Sequence, residues 1–446
     1  MRTVITYGTY DLFHAGHRRL LERARELGDR LIVGVTSDAY DRTRGKLNVA
    51  QSVTERIETI RQTGLADQIL IEEYDGQKIH DIQKWGVDVF AIGSDWLGRF
   101  DYLSDYCEVV YLERTRGVSS TELRNNSTGI LRIGLVGAGK DAHDLVKEAR
   151  YVSGVSVEAV WDADDDQARS LASELELEWV NRSYSELLKF VDAVYISTRA
   201  GTRPEYIRMA LEAKVNVLTE PPIALTRAEA AELLTLAREQ GLALVDGVRT
   251  AYSPGFLRMV AYAQSQSIGT IRSVEVTYTR LTYHGPAREA EDGGAIAELA
   301  AYPLLAVIKL LGPNYEDLRC RVYQPEGSSV ELFAQIDLTY KEAIASVKVG
   351  IGVSATNDVE VAGTRGSLYV PAPWWRTQHY ETRFEDEQEN QAFFHRFEGR
   401  GMRYELVELA SRINGSQKRS YKMPAQDSVT ISEIIENVRL DGMVFG

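Results

Sequence analysis

Short apolar runs alternate with longer amphipathic segments through the first 120 residues of the chain. The apolar runs TVITYG, RLIVGVTSD, DQILIEE, VDVFAIGSD and EVVYLER are typical of buried strands. Between them, HRRLLERARELG, VTERIETIRQTG and GQKIHDIQKWG have the periodicity of amphipathic helices. Because buried strands that alternate with helices form parallel sheets covered on both faces, this region is predicted to be a doubly wound α/β domain.

The alternation stops at a polar joint, residues 125–129, and then starts again. A new strand, LRIGLVGAG, opens a second α/β alternation that continues to about residue 245. After about residue 270 the apolar period changes to two, as in RSVEVTYTRLTY and SVELFAQIDLTY, which is typical of an antiparallel sheet with one solvated face. We therefore predict three domains, with limits 1–128, 129–248 and 249–446.

Net charge and hydropathy limit the kinds of molecule that the protein is expected to bind. A net charge of −14 disfavours nucleic acid and anionic membranes as partners, and no apolar run approaches the roughly 18 residues of a membrane span. The N-terminus enters a strand pattern without the architecture of a signal peptide, and the two cysteines have no metal-ligand spacing. We expect a cytoplasmic protein that acts on small molecules and holds phosphate through local groups.

Two histidines stand where the first predicted strand turns into the first helix. His14 and His17 are three residues apart, so they share a face of the first helical turn, where unpaired backbone N–H groups and the helix dipole favour an anion. Gly16 would let a phosphate approach the backbone. The arrangement suits phosphoryl or nucleotidyl transfer, which depends on positioning and charge stabilisation. A pair of half-buried histidines without a ligand is the alternative.

Three ordered motifs carry a family resemblance over about residues 1–125. YGTYDLFHAGH, GSDWLGRFDYL at 93–103 and RTRGVSSTELR at 114–124 resemble the signatures of the glycerol-3-phosphate cytidylyltransferase family. This resemblance implies a Rossmann-like nucleotidyltransferase domain that uses CTP and Mg²⁺.

The resemblance also implies roles for individual residues. The two histidines would contact the CTP phosphates and steady the α-phosphorus, while a loop beginning at Arg114 would receive the departing pyrophosphate. Asp11 would help to hold Mg²⁺, with a helix-capping role as the alternative. The implied catalytic residues are His14, His17, Arg114, Ser120 and Thr121, and the implied nucleotide-binding residues are Thr9, Tyr10, Asp11, Gly16, Lys46, Arg56, Gly93, Asp95, Trp96, Gly117 and Ser119.

Departures from the family pattern concern the acceptor. Gly64 stands where the family has a second arginine, for which Arg61 could substitute, and Ser94 and Arg99 replace an aspartate and a lysine. The expected acceptor is therefore a small polyol phosphate similar to glycerol 3-phosphate, with a phosphonate as the alternative. Transfer of AMP instead of CMP is disfavoured by the resemblance alone.

The second α/β region opens with a glycine-rich turn. Gly137, Gly139 and Ala142 form G-x-G-x-x-A between a strand and a helix, and Asp162 follows about twenty residues later. This spacing predicts a dinucleotide whose ribose hydroxyls bind the carboxylate. NAD is favoured over NADP because three more aspartates, and no nearby Arg or Lys, follow Asp162.

From this turn to the C-terminus the chain resembles the Gfo/Idh/MocA oxidoreductases, and especially their dihydrodiol dehydrogenase branch. The stretches VDAVYISTR, ALEAKVNVLTEPPIALT and GGAIAELAAYPLLAVIKLLG carry the resemblance. It implies a Rossmann NAD-binding domain followed by an α+β domain with a large, mostly antiparallel sheet. It places Thr198, Arg199 and Glu220 at the cofactor and Tyr302 as the catalytic acid/base.

The same resemblance exposes a gap in the catalytic set. Pro221 occupies the position of the family's usual lysine, and proline has neither charge nor donor. Either Arg199 or Arg203 supplies the missing charge and hydride transfer survives, or the domain is an NAD-binding scaffold or sensor. We expect a bifunctional enzyme, at least dimeric, whose second half reduces the keto precursor of the alcohol phosphate that the first half joins to CMP.

Overall fold

The computed structural model describes residues 1–46, 49–74, 76–113, 130–281, 293–414 and 420–445. Its first sheet has five parallel strands in the order β3-β2-β1-β4-β5. Apolar residues on both faces of the central strands are fully buried, which is why these strands read as continuous apolar runs. The strands are β1 (Thr3–Gly8), β2 (Arg30–Thr36), β3 (Gln68–Glu72), β4 (Val89–Gly93) and β5 (Glu108–Leu112), and the helices are α1 (Ala15–Glu26), α2 (Asp38–Thr43), α3 (Val53–Thr63) and α4 (Gln77–Trp85).

The second sheet has six strands in the order β11-β10-β9-β6-β7-β8. The predicted Rossmann-like alternation is confirmed here, with a helix after most strands. The strands are β6 (Leu131–Val136), β7 (Val155–Trp161), β8 (Trp179–Val180), β9 (Ala193–Ile196), β10 (Asn216–Thr219) and β11 (Leu244–Asp246), and the helices are α5 (Lys140–Ala149), α6 (Asp165–Leu175), α7 (Tyr184–Leu187), α8 (Arg203–Glu212) and α9 (Arg227–Gln240).

The third sheet is large and mixed, with nine strands in the order β19-β18-β17-β16-β12-β15-β14-β13-β20. Most neighbours are antiparallel, as predicted, but β12 pairs with β15 in parallel and β13 with β20 in parallel. The strands are β12 (Ile271–Arg280), β13 (Asp317–Tyr323), β14 (Phe333–Thr339), β15 (Ile344–Ile351), β16 (Val359–Gly363), β17 (Gly366–Val370), β18 (His379–Phe384), β19 (Gln391–Phe394) and β20 (Met443–Phe445), and the helices are α10 (Pro254–Gln264), α11 (Ala295–Leu299), α12 (Ala301–Leu311), α13 (Met402–Asn414) and α14 (Ala425–Asp441).

The density of contacts divides the chain into two compact units. The first unit contains Met1–Ile133 and His143–Ser183, and the second contains Gly134–Ala142 and Tyr184–Gly446. The predicted domain limits stay predictions. In the part of the chain that the structure describes, no helix combines the length and apolar character that crossing a bilayer requires.

Candidate active sites

The strand order of the first sheet locates its ligand-binding edge. β1 lies between β2 and β4, so the order reverses between β1 and β4. In open α/β sheets, ligands bind beyond the carboxyl ends of the strands at such a reversal. The loop after β1 carries His14, and the loop after β4 carries a short 3₁₀ helix, Ser94–Trp96. Two of the predicted motifs therefore leave the sheet at the same edge.

The two histidines of the first motif are in contact. His14 is the N-cap of α1, and its Nδ1 accepts a hydrogen bond from the Gly16 N–H at 3.1 Å. The rings of His14 and His17 are stacked, with centroids 3.8 Å apart. A Cβ at Gly16 would lie 2.9 Å from Cε1 of His14, so any larger residue there would force the histidine ring to shift. The structure thus adds a second reason for Gly16 beside the predicted approach of a phosphate.

His17 is held as a neutral imidazole. Burial lowers the pKa of His17 well below its ordinary value, and the charges of His14 and Lys46 lower it further. Its ring lies edge-on to the buried ring of Tyr10, with centroids 5.5 Å apart. Nδ1 of His17 is shielded from solvent and has no hydrogen-bond partner within the described ranges. A buried polar atom without a partner is uncommon, and this one is available to hydrogen-bond a ligand.

Asp11 ties the loop after β1 to the segment that precedes α3. Its carboxylate accepts hydrogen bonds from the Ala50 N–H at 2.8 Å and the Gln51 N–H at 2.9 Å. The Gln51 side chain in turn accepts a hydrogen bond from the Leu12 N–H at 2.9 Å. Among the described residues no group of three or more His, Cys, Asp or Glu side chains is arranged to hold a metal ion. Asp11 organises the loop, and its role as a metal ligand stays a prediction.

Arg56 lies beneath the same loop and is fully buried. Its Nη1 donates to the carbonyl oxygens of Thr9 at 2.6 Å and Thr36 at 2.9 Å, and its Nε donates to the Gln51 carbonyl at 3.1 Å. The Thr9 hydroxyl donates to Asp41, which also pairs with Arg56 at 3.4 Å. These contacts give Arg56 a positioning function under the loop, while its predicted contact with the nucleotide stays a prediction.

A cleft of about 310 Å³ opens beside this loop. Its volume falls at the lower end of the range for small-molecule sites. Arg42 and Lys46 supply positive charge at the cleft, which suits a phosphate group. Lys46 is also close enough to His17 to lower its pKa. The lining residues are Asp38, Arg42, Lys46, Val49, Ala50, Gln51 and Ser52.

The loop after β4 contributes an aromatic and cationic corner. Gly93 ends β4, and the Arg99 guanidinium lies over the Trp96 ring at 5.3 Å from its centroid. The carbonyl oxygen of Asp95 accepts a hydrogen bond from the guanidinium of Arg150. The residues predicted to bind the departing pyrophosphate lie outside the described part of the chain; they are Arg114, Gly117, Ser119, Ser120 and Thr121.

In the second unit, the glycine-rich turn has space for a ligand. Gly137 has φ +98°, and a Cβ there would lie 3.0 Å from Oγ of Ser197. No described atom lies within 4 Å of the position that a Cβ would take at Gly139, and Ala142 is fully buried in α5. The open space at Gly139 suits the close approach of a dinucleotide pyrophosphate to the start of α5.

The predicted ribose ligand, Asp162, follows β7 in the first unit. Its Oδ1 accepts a hydrogen bond from the Asp164 N–H at 2.8 Å, and Asp164 caps α6. The carboxylate is thus fixed by its own turn, and its ribose contact stays a prediction.

Tyr302, the predicted acid/base, lies in a buried group of charges and aromatic rings. Burial raises the pKa of Tyr302 well above its ordinary value, whereas the positive charge of Arg249 lowers it. Nη2 of Arg249 pairs with Glu220 at 2.6 Å, and its Nε lies 3.7 Å from the fully buried Glu405. The Tyr302 ring packs edge-on against Tyr278, with centroids 5.5 Å apart. Burial therefore keeps the Tyr302 hydroxyl protonated, while the positive charge of Arg249 favours release of that proton.

Neither Arg199 nor Arg203, the two candidates predicted from the sequence, supplies the positive charge that acts on Tyr302. Arg199 is exposed. Arg203 is buried, but its Nε donates to the Thr198 carbonyl at 2.8 Å and its Nη1 to the Pro221 carbonyl at 2.7 Å, so it braces the backbone. The cation whose charge acts on Tyr302 is Arg249, which no sequence motif indicated. An arginine three residues after the end of the buried strand LALVD was the available signal.

Asp246, at the end of β11, gives a testable pH dependence. It is 4% exposed, and burial raises its pKa from 3.8 to about 7. Since the folded chain binds this proton more tightly than the unfolded chain, stability falls as the pH rises from about 4 to about 7 and is level above that. Replacing Asp246 with asparagine removes the titration. The free energy of unfolding of Asp246→Asn, relative to wild type, should therefore rise by about 2 kcal/mol between pH 5.5 and pH 8.

Urea unfolding at the two pH values measures this difference. Asp317→Asn is the matched control, because the Asp317 side chain is 53% exposed, and its difference from wild type should not change with pH. A difference for Asp246→Asn that is the same at both pH values would contradict the assignment.

Three family models match consecutive parts of the chain. Residues 5–126 match a cytidylyltransferase-like family. Residues 131–247 match the NAD-binding Rossmann domain of an oxidoreductase family, GFO/IDH/MocA, and residues 256–369 match the GFO/IDH/MocA C-terminal domain. The matches fall on the segments in which the sequence motifs lie.

Curated relatives show the same division. Glycerol-3-phosphate cytidylyltransferase of Bacillus spizizenii is 45% identical over 130 residues, which are 29% of this chain and 100% of that protein. The Staphylococcus aureus enzyme of the same name is 45% identical over 131 residues and covered to 97%. Trans-1,2-dihydrobenzene-1,2-diol dehydrogenase of Bos taurus is 25% identical over 321 residues, 69% of this chain and 96% of that protein.

A solved structure shares the fold of the second region. KijD10, a 3-ketoreductase from Actinomadura kijaniata in complex with NADP and TDP-benzene, superimposes with a TM-score of 0.64 at 23% identity. The superposition covers 71% of this chain and 100% of that one.

Proposed function

Because residues 5–126 belong to the cytidylyltransferase family and the following residues carry the two Gfo/Idh/MocA oxidoreductase domains, we propose that the chain is a bifunctional enzyme. Its first activity transfers CMP from CTP to a small polyol phosphate similar to glycerol 3-phosphate. The second reduces the keto precursor of that alcohol with NADH. The product, a CDP-alcohol, is of the kind that supplies cell-wall or capsular polymers.

The observation that carries the first activity is the contact between His14 and His17 at the start of α1. In the transfer, an oxygen of the acceptor phosphate attacks the α-phosphorus of CTP, and the bond to the β-phosphate oxygen breaks to release pyrophosphate. Negative charge grows on the oxygens of the five-coordinate phosphorus. Two imidazoles held in fixed positions at the start of α1 would stabilise that charge without reorganisation.

Mg²⁺ is proposed as the metal of this reaction, where it neutralises triphosphate charge when bound. Each oxygen of Asp11 accepts one backbone hydrogen bond and retains a further lone pair. Asp11 therefore fits as one ligand, with phosphate oxygens and water as the others.

A screen of polyol phosphates with CTP, followed by pyrophosphate release, tests the first activity. We expect release with glycerol 3-phosphate or a close analogue, and none with ATP in place of CTP. Release with a phosphonate alone would redefine the acceptor. No release with any acceptor would refute the proposal.

The second activity is supported by Tyr302 and Arg249. Gly137 and Gly139 would hold NADH, which would supply the hydride. We favour NAD over NADP because Asp162 and the aspartates after it would repel a 2′-phosphate. The Tyr302 hydroxyl would donate its proton to the carbonyl oxygen of the substrate when hydride is added to the carbon. Arg249 then stabilises the phenolate until solvent returns a proton.

Tyr302→Phe should lower NADH oxidation by about 100-fold with dihydroxyacetone, its phosphate or small ketoses as substrate, since the phenyl ring has no proton to donate. The decrease in absorbance of NADH measures the rate. Tyr421→Phe is the control, because Tyr421 is 78% exposed. If the wild type reduces none of these carbonyls and Tyr302→Phe has no effect, the second domain is the NAD-binding scaffold or sensor that is the alternative proposal.

The expected assembly is a homo-oligomer, at least a dimer, in the cytoplasm. This remains a proposal from the sequence resemblances and the sparse cysteine content.

A further inference from the structure

A segment from the second α/β region of the sequence lies against the proposed nucleotide site at the edge of the first sheet. Arg150 and Tyr151 follow α5, and both are in the same compact unit as residues 1–133. The backbone carbonyl of Arg150 accepts a hydrogen bond from Nζ of Lys46 at 2.7 Å. The guanidinium of Arg150 donates a hydrogen bond to the carbonyl oxygen of Asp95. Arg150 thus contacts both the segment after α2, which lines the cleft, and the loop after β4.

Tyr151 adds two contacts to the second of these loops. Its hydroxyl accepts a hydrogen bond from Nη1 of Arg99 at 3.0 Å. Its ring lies edge-on to Trp96, with centroids 6.1 Å apart, while the Arg99 guanidinium lies over the same Trp96 ring. Arg99 is therefore restrained by a hydrogen bond and by an aromatic face at the same time.

Lys46 and Arg99, which Arg150 and Tyr151 hold in place, carry positive charges that suit the phosphates of a nucleotide and its acceptor. Lys46 lines the cleft and lowers the pKa of His17 through its charge. A lysine side chain has many rotamers, and a carbonyl at the negative end of a helix selects those that bring its ammonium group close. Without such an anchor the same charge would be spread over several positions.

We propose that Arg150 and Tyr151 are positioning residues of the nucleotidyl-transfer site, fixing Lys46, Trp96 and Arg99 for the nucleotide and its acceptor. This inference rests on the proposed cytidylyl transfer. It means that the oxidoreductase part of the chain completes the site of the first activity.

Pyrophosphate release by the full chain tests the proposal, with CTP varied at saturating acceptor. Tyr151→Phe removes the acceptor of the Arg99 hydrogen bond and keeps the ring, whereas Tyr151→Ala removes both. We expect KM for CTP to rise about 3-fold in the first and about 10-fold in the second, with kcat within about 2-fold of wild type, as expected for one or two lost contacts. Arg150→Lys should retain more affinity than Arg150→Ala.

Tyr106→Phe is the matched control, because Tyr106 is 44% exposed, and its KM should equal that of wild type. Unchanged KM in all four variants would overturn the proposal, as would a loss of kcat that only follows a loss of melting temperature. If the wild type releases no pyrophosphate, the proposed function has failed. Calorimetric titration with CTP then decides the inference separately, with weaker binding by Tyr151→Ala supporting it and equal binding refuting it.

Discussion

Replacing His17 with alanine is expected to lower kcat for pyrophosphate release by about 100- to 1,000-fold. The removed imidazole is half-buried, stacked on His14 and fixed at the start of α1, so no solvent molecule can occupy its place with the same orientation. A loss of this size is typical when one preorganised donor to a growing oxyanion is removed. KM for CTP should change much less, because the group acts mainly as charge grows on the α-phosphorus.

His80→Ala is the control for this variant. His80 is exposed on helix α4 of the same compact unit, so its replacement should leave kcat and the melting temperature unchanged. The melting temperature of His17→Ala must stay near that of wild type for the result to count as catalytic. A folded His17→Ala protein with wild-type kcat would contradict the assignment.

Replacing Arg249 with methionine is expected to destabilise the fold by about 3–5 kcal/mol. The guanidinium lies between Glu220 and the fully buried Glu405, and it is also 3.0 Å from Asp141. Removing one partner from such a group leaves uncompensated buried charge, which is more costly than the intact group. Arg249→Lys keeps the charge but has fewer donors, so it should be intermediate.

Arg272→Met supplies the comparison. Arg272 pairs with Glu342 at 3.2 Å, but both side chains are at least 50% exposed, and such surface pairs contribute about 0–1 kcal/mol. The free energy of unfolding, measured with urea, should therefore separate Arg249→Met from Arg272→Met by several kcal/mol. Equal values for the two variants would show that the charges around Arg249 are not coupled as described.

Local patterns in the sequence predicted the strands and helices of the two α/β regions and the families of both. They succeeded because a buried parallel strand must be apolar on both faces, and the motifs are short and contiguous. The same holds for His14 and His17, because the N-cap and the third residue of α1 are three positions apart and lie on the same side of the first turn. The family predictions are confirmed by the matches of residues 5–126, 131–247 and 256–369.

Features that depend on residues far apart in sequence could not be predicted. Arg249 contacts Glu405, and nothing near either residue in the sequence indicates the pair. Arg56 resembles a ligand-binding residue in sequence, yet its hydrogen bonds to Thr9 and Thr36 place it beneath the loop. The parallel pairing of β12 with β15 is equally hidden, because strand direction follows from the path of the chain between the strands.

The most direct test compares pyrophosphate release in a single turnover by wild type and by the double variant His14→Ala, His17→Ala, with CTP and the best acceptor from the screen. The variant must retain the wild-type melting temperature. If the stacked imidazoles stabilise the charge on the α-phosphorus, the wild type will release pyrophosphate and the variant will be slower by about 1,000-fold or more. Equal rates would contradict the account.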